Sequence, residues 1–535
     1  MNMKSYNNYG VILLLLLVSF SSCENFLDRQ PLEELSKDKF WKTKADAELW
    51  TIGLYDALQG ALSDNYFMWG EVRSDNQQQA GTGTDQALFL TNTLTADMGV
   101  CNWANLYSAI SSANFGIKYL PAISDLTETE LKLYLGQAYT ARALMYFYAI
   151  RVWGDVPLLL EPYEGSEGQV EYNVRTSVDE VKKQIFKDLN SALSCFDLGT
   201  PSVTRFNRGA ALAIQTDVHM WFKEYQEAID ASDKLIALKK YSFAANSDEW
   251  HQIFESPVNS SEPIFFLDWD AQTDRKNGVC KYLASESPSP NYKIREALWD
   301  SLIIRKKDDR LLYMTDTVRM FYKNSMIPIS EETYDIYTQI FYCNKFSRYD
   351  ASHDNSDISP LMPSGRYVSP TEITYMPMIP LYRFSDIMLL RAEAFNKLGD
   401  GDAARSIVND IRHRIGYLRT EEIPDPSFIP DPDNPEQEIP TVAVTIGEVT
   451  SENAPDGTVL ENVILQERQF ELWGEGKRWF DLVRTGKVAE VMDPILKERG
   501  VEEGFNDMRR ILFPLHSSVF EANPLLEQNE PYTKY

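Results

Sequence analysis

Apolar residues recur at helical spacing through most of this chain. Trp103, Leu106, Tyr107 and Ile110 form one stripe of a helix predicted over Trp103 to Tyr119. Ser36 reads as the N-cap of a helix running through Trp50 to Leu62. Thr127 and Glu130 read as the capping box of a longer helix that carries Ala138, Ala141, Ala143 and Ala149 among Tyr and Leu. Small residues at that spacing let neighbouring helices approach closely. Two further segments, Asp217 to Leu238 and Arg391 to Arg412, each read as helix, tight turn, helix, with Ala alternating with large residues as in a tetratricopeptide unit. They are not in tandem, so a packed set of helical hairpins with a large insertion fits better than a regular solenoid.

The periodicity fails in three places. Asp64 to Asp97 is polar and Gly/Thr-rich and is predicted to be a long loop with little regular structure. An insertion from Phe243 to Tyr382 is predicted to be mostly loop with a few short strands, such as PIFFLDW (Pro263 to Trp269) and IFYCNKF (Ile340 to Phe346). Glu421 to Gly457 is rich in Pro and acid and is predicted to be a surface excursion. The fold class that follows is mainly α: tetratricopeptide-like helical hairpins with an irregular, loop-rich ligand-binding subdomain. An N-terminal part (25–240), the insertion (243–382) and a C-terminal part (383–535) make up the mature chain.

The segment from Glu467 to Lys487, ERQFELWGEGKRWFDLVRTGK, is dense in charge and aromatics together. Leu460, Val463, Ile464, Glu467 and Glu471 share one helical face, which puts two carboxylates where burial is expected. A buried charge is tolerated only when paired and hydrogen-bonded. Arg468, Lys477, Arg478 and Arg484 are the cations at hand. Gly474 and Gly476 end the helix, Lys477 to Val483 forms a short second one, and Gly486 stops it. Phe470, Trp473, Trp479 and Phe480 are too apolar for a solvated helix, so the block reads as an ionic lock inside the fold.

The N-terminus reads as a targeting segment, residues 1–22: Lys4, then an apolar run from Val11 to Phe20, then Ser21-Ser22-Cys23. A run of about ten residues is too short to span a bilayer and fits a signal-peptide core. Small residues before a cysteine resemble a lipobox, which makes Cys23 the acylated first residue of a membrane-anchored protein. Cys101, Cys195, Cys280 and Cys343 are widely spaced, without a C-x-x-C, and imply neither zinc nor an obligatory disulfide.

A formal charge of −27 repels nucleic acid. It leaves neutral sugars and peptides open as ligands. No catalytic constellation appears. His219, His251, His353, His413 and His516 show no H-E-x-x-H spacing, and no G-x-S-x-G occurs. Gly474 to Lys477 looks like a phosphate loop, but Glu471 stands where its first glycine belongs. With 79 acidic residues some carboxylate pair always meets the glycosidase spacing, so that signal carries little. DPDN (Asp431 to Asn434) hints at calcium, but Pro435 and Glu436 break the loop pattern. No catalytic residue, metal or cofactor is therefore assigned. What remains is a surplus of aromatics in polar loops. Rings bury the apolar faces of a sugar while Asp, Asn, Gln and Arg bond its hydroxyl edges. Trp69, Asp75, Asn76 and Phe89 in the first loop, and Trp269, Tyr282, Trp299, Tyr334 and Tyr337 in the insertion, are the candidate ligand-binding residues.

Four segments, in order, resemble one known family. Glu467 to Lys487 is similar to the "ER-x-x-E-L-x-x-E-G-x-R-W-x-D-L-x-R-x-G-K" segment of the SusD/RagB proteins. Tyr134 to Leu159 resembles their long helix followed by "GDVPL", Arg383 to Asp400 their "R-x-x-D-x-L-L-x-x-AEA", and Arg509 to Tyr532 their closing "FP-I-P…NP-x-L-x-QN-P-x-Y". The matches span almost the whole mature chain. The resemblance implies a single compact unit, a surface-exposed outer-membrane lipoprotein of Bacteroidota that captures an oligosaccharide or peptide, and a SusC-like TonB-dependent transporter as partner. It points to the same two loop regions as the ligand platform. A surface glycoside hydrolase and a tetratricopeptide scaffold that binds only protein or peptide stay open as alternatives. A carboxylate pair across a deep cleft would mark the first.

Overall fold

The first described helix, α1 (Lys44–Leu62), starts at Thr43, whose hydroxyl accepts from the Asp46 N–H while the Asp46 carboxylate accepts from Thr43 N–H at 2.8 Å. Thr43, and not Ser36, is the cap. Three positions beyond Ser36 stands Lys39, which has no acceptor to complete the box. The computed structural model describes residues 40–80, 84–164, 172–197, 202–269, 277–278, 282–283, 292–305, 308–310, 345–346, 348–350, 366–368, 377–424 and 440–534. The leader with Cys23, the Ser36 position, Cys280, Tyr334, Tyr337, Cys343 and the DPDN stretch lie outside these residues.

After α2 (Thr84–Leu90) and α3 (Ala104–Tyr119) comes α4 (Glu128–Trp153), whose Thr127–Glu130 capping box forms as the sequence predicts. Every residue of α4 from Thr140 to Trp153 is buried. A helix buried all round must be enclosed by others, and α1, α3, α5 (Val178–Cys195) and α6 (Arg208–Trp221) pack around it. Its Arg142 is paired internally, gripping Asp188 with two bonds of 2.8 and 2.7 Å.

Helix α6 turns into α7 (Tyr225–Ala237), one of the two predicted hairpins. Among the described residues of the insertion, two shorter helices follow, α8 (Ser247–Glu255) and α9 (Glu296–Ile304). The second hairpin is α10 (Phe384–Leu398) with α11 (Gly401–Arg414), joined through Gly399 in the left-handed conformation. Although distant in sequence, the hairpins stack: α10 packs on both α6 and α7, and α12 (Thr458–Glu471) covers α10 and α11. Leu389, Ala392, Ala404, Val408, Leu460 and Ile464 fill that junction. Then come α13 (Arg478–Thr485), α14 (Val488–Glu498) and α15 (Ser517–Ala522).

Strands among the described residues pair only two by two. β1 (Gln77–Gln79) pairs with β3 (Tyr292–Ile294), β2 (Pro263–Leu267) with β6 (Ile379–Arg383), β4 (Arg348–Asp350) with β5 (Arg366–Val368), and β7 (Arg419–Pro424) with β8 (Thr441–Ile446), all antiparallel. β2 and β6 are buried along their whole length, so they form a core ladder that draws the two ends of the insertion together.

Two loop expectations are corrected. Asp64 to Asp97 holds a turn of helix (Asn65–Phe67), a π-helical turn (Met68–Val72), β1 and α2, and most of its residues up to Gln77 are buried. The polar run looked like surface because its partners lie far away in sequence. The described residues of Glu421 to Gly457 stay mostly on the surface but are not irregular throughout: they begin in β7 and include β8, a ribbon whose alternating exposure matches the alternation of TVAVTI. Cys101 is buried and Cys195 half-buried, both as free thiols. Among the described residues, no helix is long and apolar enough to cross a membrane.

Candidate ligand-binding site

The two irregular regions meet. β1 from the first pairs with β3 from the insertion, and the Arg295 N–H donates to the Asn76 carbonyl at 2.9 Å. The Gly278 N–H donates to the Ser63 carbonyl at 2.7 Å, and the Tyr282 hydroxyl donates to Asp64 at 3.2 Å. Phe67 stacks on Tyr282 with ring centroids 5.9 Å apart, and Tyr292 closes the cluster 6.0 Å from Tyr282. One loop-rich face is thereby assembled from segments some two hundred positions apart.

Beneath it lies the ionic block. Glu467 faces Arg310 at 2.7 Å, Arg412 at 2.8 Å and Arg305 at 3.1 Å. Glu471 faces Arg383 at 2.7 Å, Arg310 at 3.1 Å and Arg414, and accepts from the Trp250 indole N–H at 2.8 Å. Glu475 takes Lys345 at 2.6 Å and Arg383 at 2.9 Å. Burial pushes the pKa of Glu467 and Glu471 upward, but the surrounding arginines more than offset it and hold both well below the usual carboxylate range. The burial of these two carboxylates was legible; the identity of their partners is corrected. None of Arg468, Lys477, Arg478 and Arg484 pairs with them. Arg468 binds Asp386 and Asp481, Lys477 binds Asp386, Arg484 binds Glu393 and Asp481, and Arg478 binds Asp75. Arg305, Arg310 and Lys345 reach in from the insertion, so the lock fastens the loop-rich part to the helical scaffold.

The same block supports the first loop region. Glu71 accepts from the Gly474 N–H at 2.9 Å and from the Asn76 amide at 2.6 Å, and Gln469 donates to Asp75 at 2.8 Å and to Asn76 at 2.9 Å. Close approach makes this possible. A Cβ on Gly70 would fall 1.8 Å from the Gly476 carbonyl oxygen, and Gly476 itself sits at φ +69°. Burial raises the Glu71 carboxyl from 4.5 to about 7, against the pull of the Asn76 and Gly474 hydrogen bonds.

Six of the nine ring and polar candidates are therefore placed inside the protein, and the expectation that they form an open platform is corrected for them. Trp69 is fully buried, edge-on to Trp153 at 5.3 Å, with its indole N–H donating to the Val100 carbonyl. Asp75 and Asn76 are committed to Arg478, Gln469 and Glu71. Phe89, Trp269 and Trp299 are buried as well. Tyr282 is half-buried in the stack described above. What the described part of this face offers to solvent is polar: half-buried Gln78, Gln79, Lys293 and Arg295, and exposed Glu296, whose N–H donates to the Gln78 side chain at 3.2 Å. Gln78 and Gln79 are the last two residues of the amide-rich run RSDNQQQ (Arg73 to Gln79), whose earlier members up to Gln77 are buried. Amide and carboxylate edges of this kind bond vicinal hydroxyls. Among the described residues, no group of three or more His, Cys, Asp or Glu is placed to hold a metal ion.

This architecture has known relatives. A family model described as "SusD family" matches residues 333–532, and one described as "Starch-binding associating with outer membrane" matches residues 25–220. SusD-like protein P38 of Formosa agariphila is 31% identical across 99% of this chain and 100% of its own length, and SusD-like protein P2 of the same organism is 25% identical over the same shares. Among solved structures, a SusD superfamily protein from Bacteroides vulgatus superposes with a TM-score of 0.70 at 17% identity, covering 92% of this chain and 99% of that one. A laminarin-binding SusD-like protein does so with a TM-score of 0.66 at 21% identity, covering 92% and 100%. The chain belongs to the SusD/RagB family.

Proposed function

We propose that this protein is a surface-exposed outer-membrane lipoprotein that binds a nutrient oligosaccharide at the β1–β3 face and delivers it to a SusC-like TonB-dependent transporter. The observation that carries the reading is the full-length match to the SusD/RagB family, with an N-terminal model described as starch-binding and associated with the outer membrane. The laminarin-binding relative supports a glycan over a peptide. The geometry is consistent with binding: the buried Glu467 and Glu471 are surrounded by arginines inside the protein, while the exposed groups of the joined loop face are hydrogen-bonding edges. Acylation of Cys23 supplies the tether, and the insertion aromatics Tyr282, Tyr334 and Tyr337 supply stacking.

Calorimetry with candidate oligosaccharides, including laminarin fragments, tests the reading. A shallow face binds at about micromolar to millimolar Kd. Mild-detergent purification from native membranes should bring down a TonB-dependent barrel, and Cys23→Ala should release the protein from the membrane fraction. Steady release of reducing ends by the pure protein, abolished by one carboxylate substitution, would make it a hydrolase instead.

A further inference from the structure

A second concavity lies wholly in the helical scaffold. It encloses about 570 Å³, within the range of small-molecule sites. It opens where the N-terminal half of α4 meets α1, the end of α5, the start of α6 and the chain after α7. No residue of either loop region lines it. Its floor is apolar and aromatic: Tyr134 and Phe206 are buried, and Phe196 packs into the space that a side chain at Gly136 would fill. Its rim reverses the sign of the chain. Lys132, Arg205, Arg208 and Lys240 outnumber Glu48 and Asp197 there even with Lys132 set aside for its pairing with Glu128 at 2.6 Å, on a protein of net charge −27.

Arg205 is the group poised for a ligand. Its side chain is 43% exposed, and its guanidinium comes no nearer than 3.6 Å to the half-exposed Glu48 and lies 5.8 Å from the centre of the Tyr55 ring. An exposed ion pair at that distance contributes little, so its planar fork is available to a carboxylate. Arg208 is engaged otherwise, donating to the Leu193 carbonyl at 2.7 Å and to that of Phe196 at 3.2 Å. Glu48 also accepts from the Tyr134 hydroxyl at 2.5 Å, which fixes it beside the aromatic floor.

We propose that this cleft is a binding site for a small organic anion: a carboxylate held by Arg205, on a flat apolar body lying against Tyr134, Phe206 and Tyr241. Glu48 competes with the ligand for Arg205 and sets its affinity. The site acts independently of the loop face.

Phenylacetate, with 2-phenylethanol as the neutral control, is the probe, titrated into the full mature chain by saturation-transfer NMR. Phenylacetate should bind saturably, and more tightly than the alcohol. Arg205→Gln should weaken it by about tenfold, the scale of a lost charge-assisted contact. Glu48→Gln, which keeps the acceptor for Tyr134, should tighten it several-fold. It serves as the folded control should Arg205→Gln melt early. Equal binding of acid and alcohol, or an affinity unchanged in Glu48→Gln, overturns the proposal. So does a non-saturable signal.

Discussion

Arg478 and Asp75, 403 positions apart, meet in a two-pronged ion pair of 2.7 and 2.9 Å in the protein interior. The pair ties the last helices to the strand that edges the candidate ligand face. Burial pushes the Asp75 pKa up, and Arg478 pulls it below its ordinary value. Asp75→Asn should therefore strand a buried guanidinium and cost about 3–5 kcal/mol. Chemical denaturation measures this. Unchanged stability with lost glycan binding would return Asp75 to the ligand site.

Glu471→Ala should be at least as damaging, since it removes one partner from each of Arg310, Arg383 and Arg414 at once. The expected loss is again about 3–5 kcal/mol or more. Because Glu467 and Glu471 are held below their ordinary pKa, their contribution is fully present above pH 4.5 and drains away as pH falls. The parent Tm should drop on the acid side, and Glu471→Ala should flatten that drop.

Glu71 acts in the opposite sense. Its carboxyl is raised to about 7, so the folded chain keeps a proton that the unfolded chain has already released, and stability from this group falls as pH rises from 4.5 to 7. Glu71→Gln removes the charging step while keeping an acceptor for Asn76 and Gly474. Its Tm should match the parent near pH 5 and exceed it above pH 7, by up to about 3 kcal/mol of stability. Superimposable Tm–pH curves would refute the assignment.

Trp69→Ala should behave as a core deletion, costing about 3–5 kcal/mol. Glycan affinity measured well below the variant's Tm should stay near the parent's. A stable variant with weakened binding would mean that the ring reaches the ligand.

The helical part of this fold was legible because its signals are local. The Thr127–Glu130 box, the stop at Gly486, and the apolar stripe around Glu467 and Glu471 each need only one or two turns of chain to be read. The partners of those carboxylates were not legible. Arg305, Arg310 and Arg383 come from up to 162 positions away, and nearer arginines in the block compete for the same inference. Trp69 shows the same limit from the other side. Beside RSDNQQQ it reads as a loop aromatic, yet its neighbours Tyr148 and Trp153 sit on a helix that only tertiary packing brings near.

The β2–β6 ladder also bears on how the insertion can be altered. It pins the two ends of the insertion side by side within the core, so the chain between Leu267 and Ile379 departs and returns at one fixed doorway. Loop length changes the closure cost only slowly, so the ladder should tolerate changes of length in that stretch. A replacement for that stretch keeps the ionic block intact only if it carries Arg305, Arg310 and Lys345, the described cations it sends to Glu467, Glu471 and Glu475.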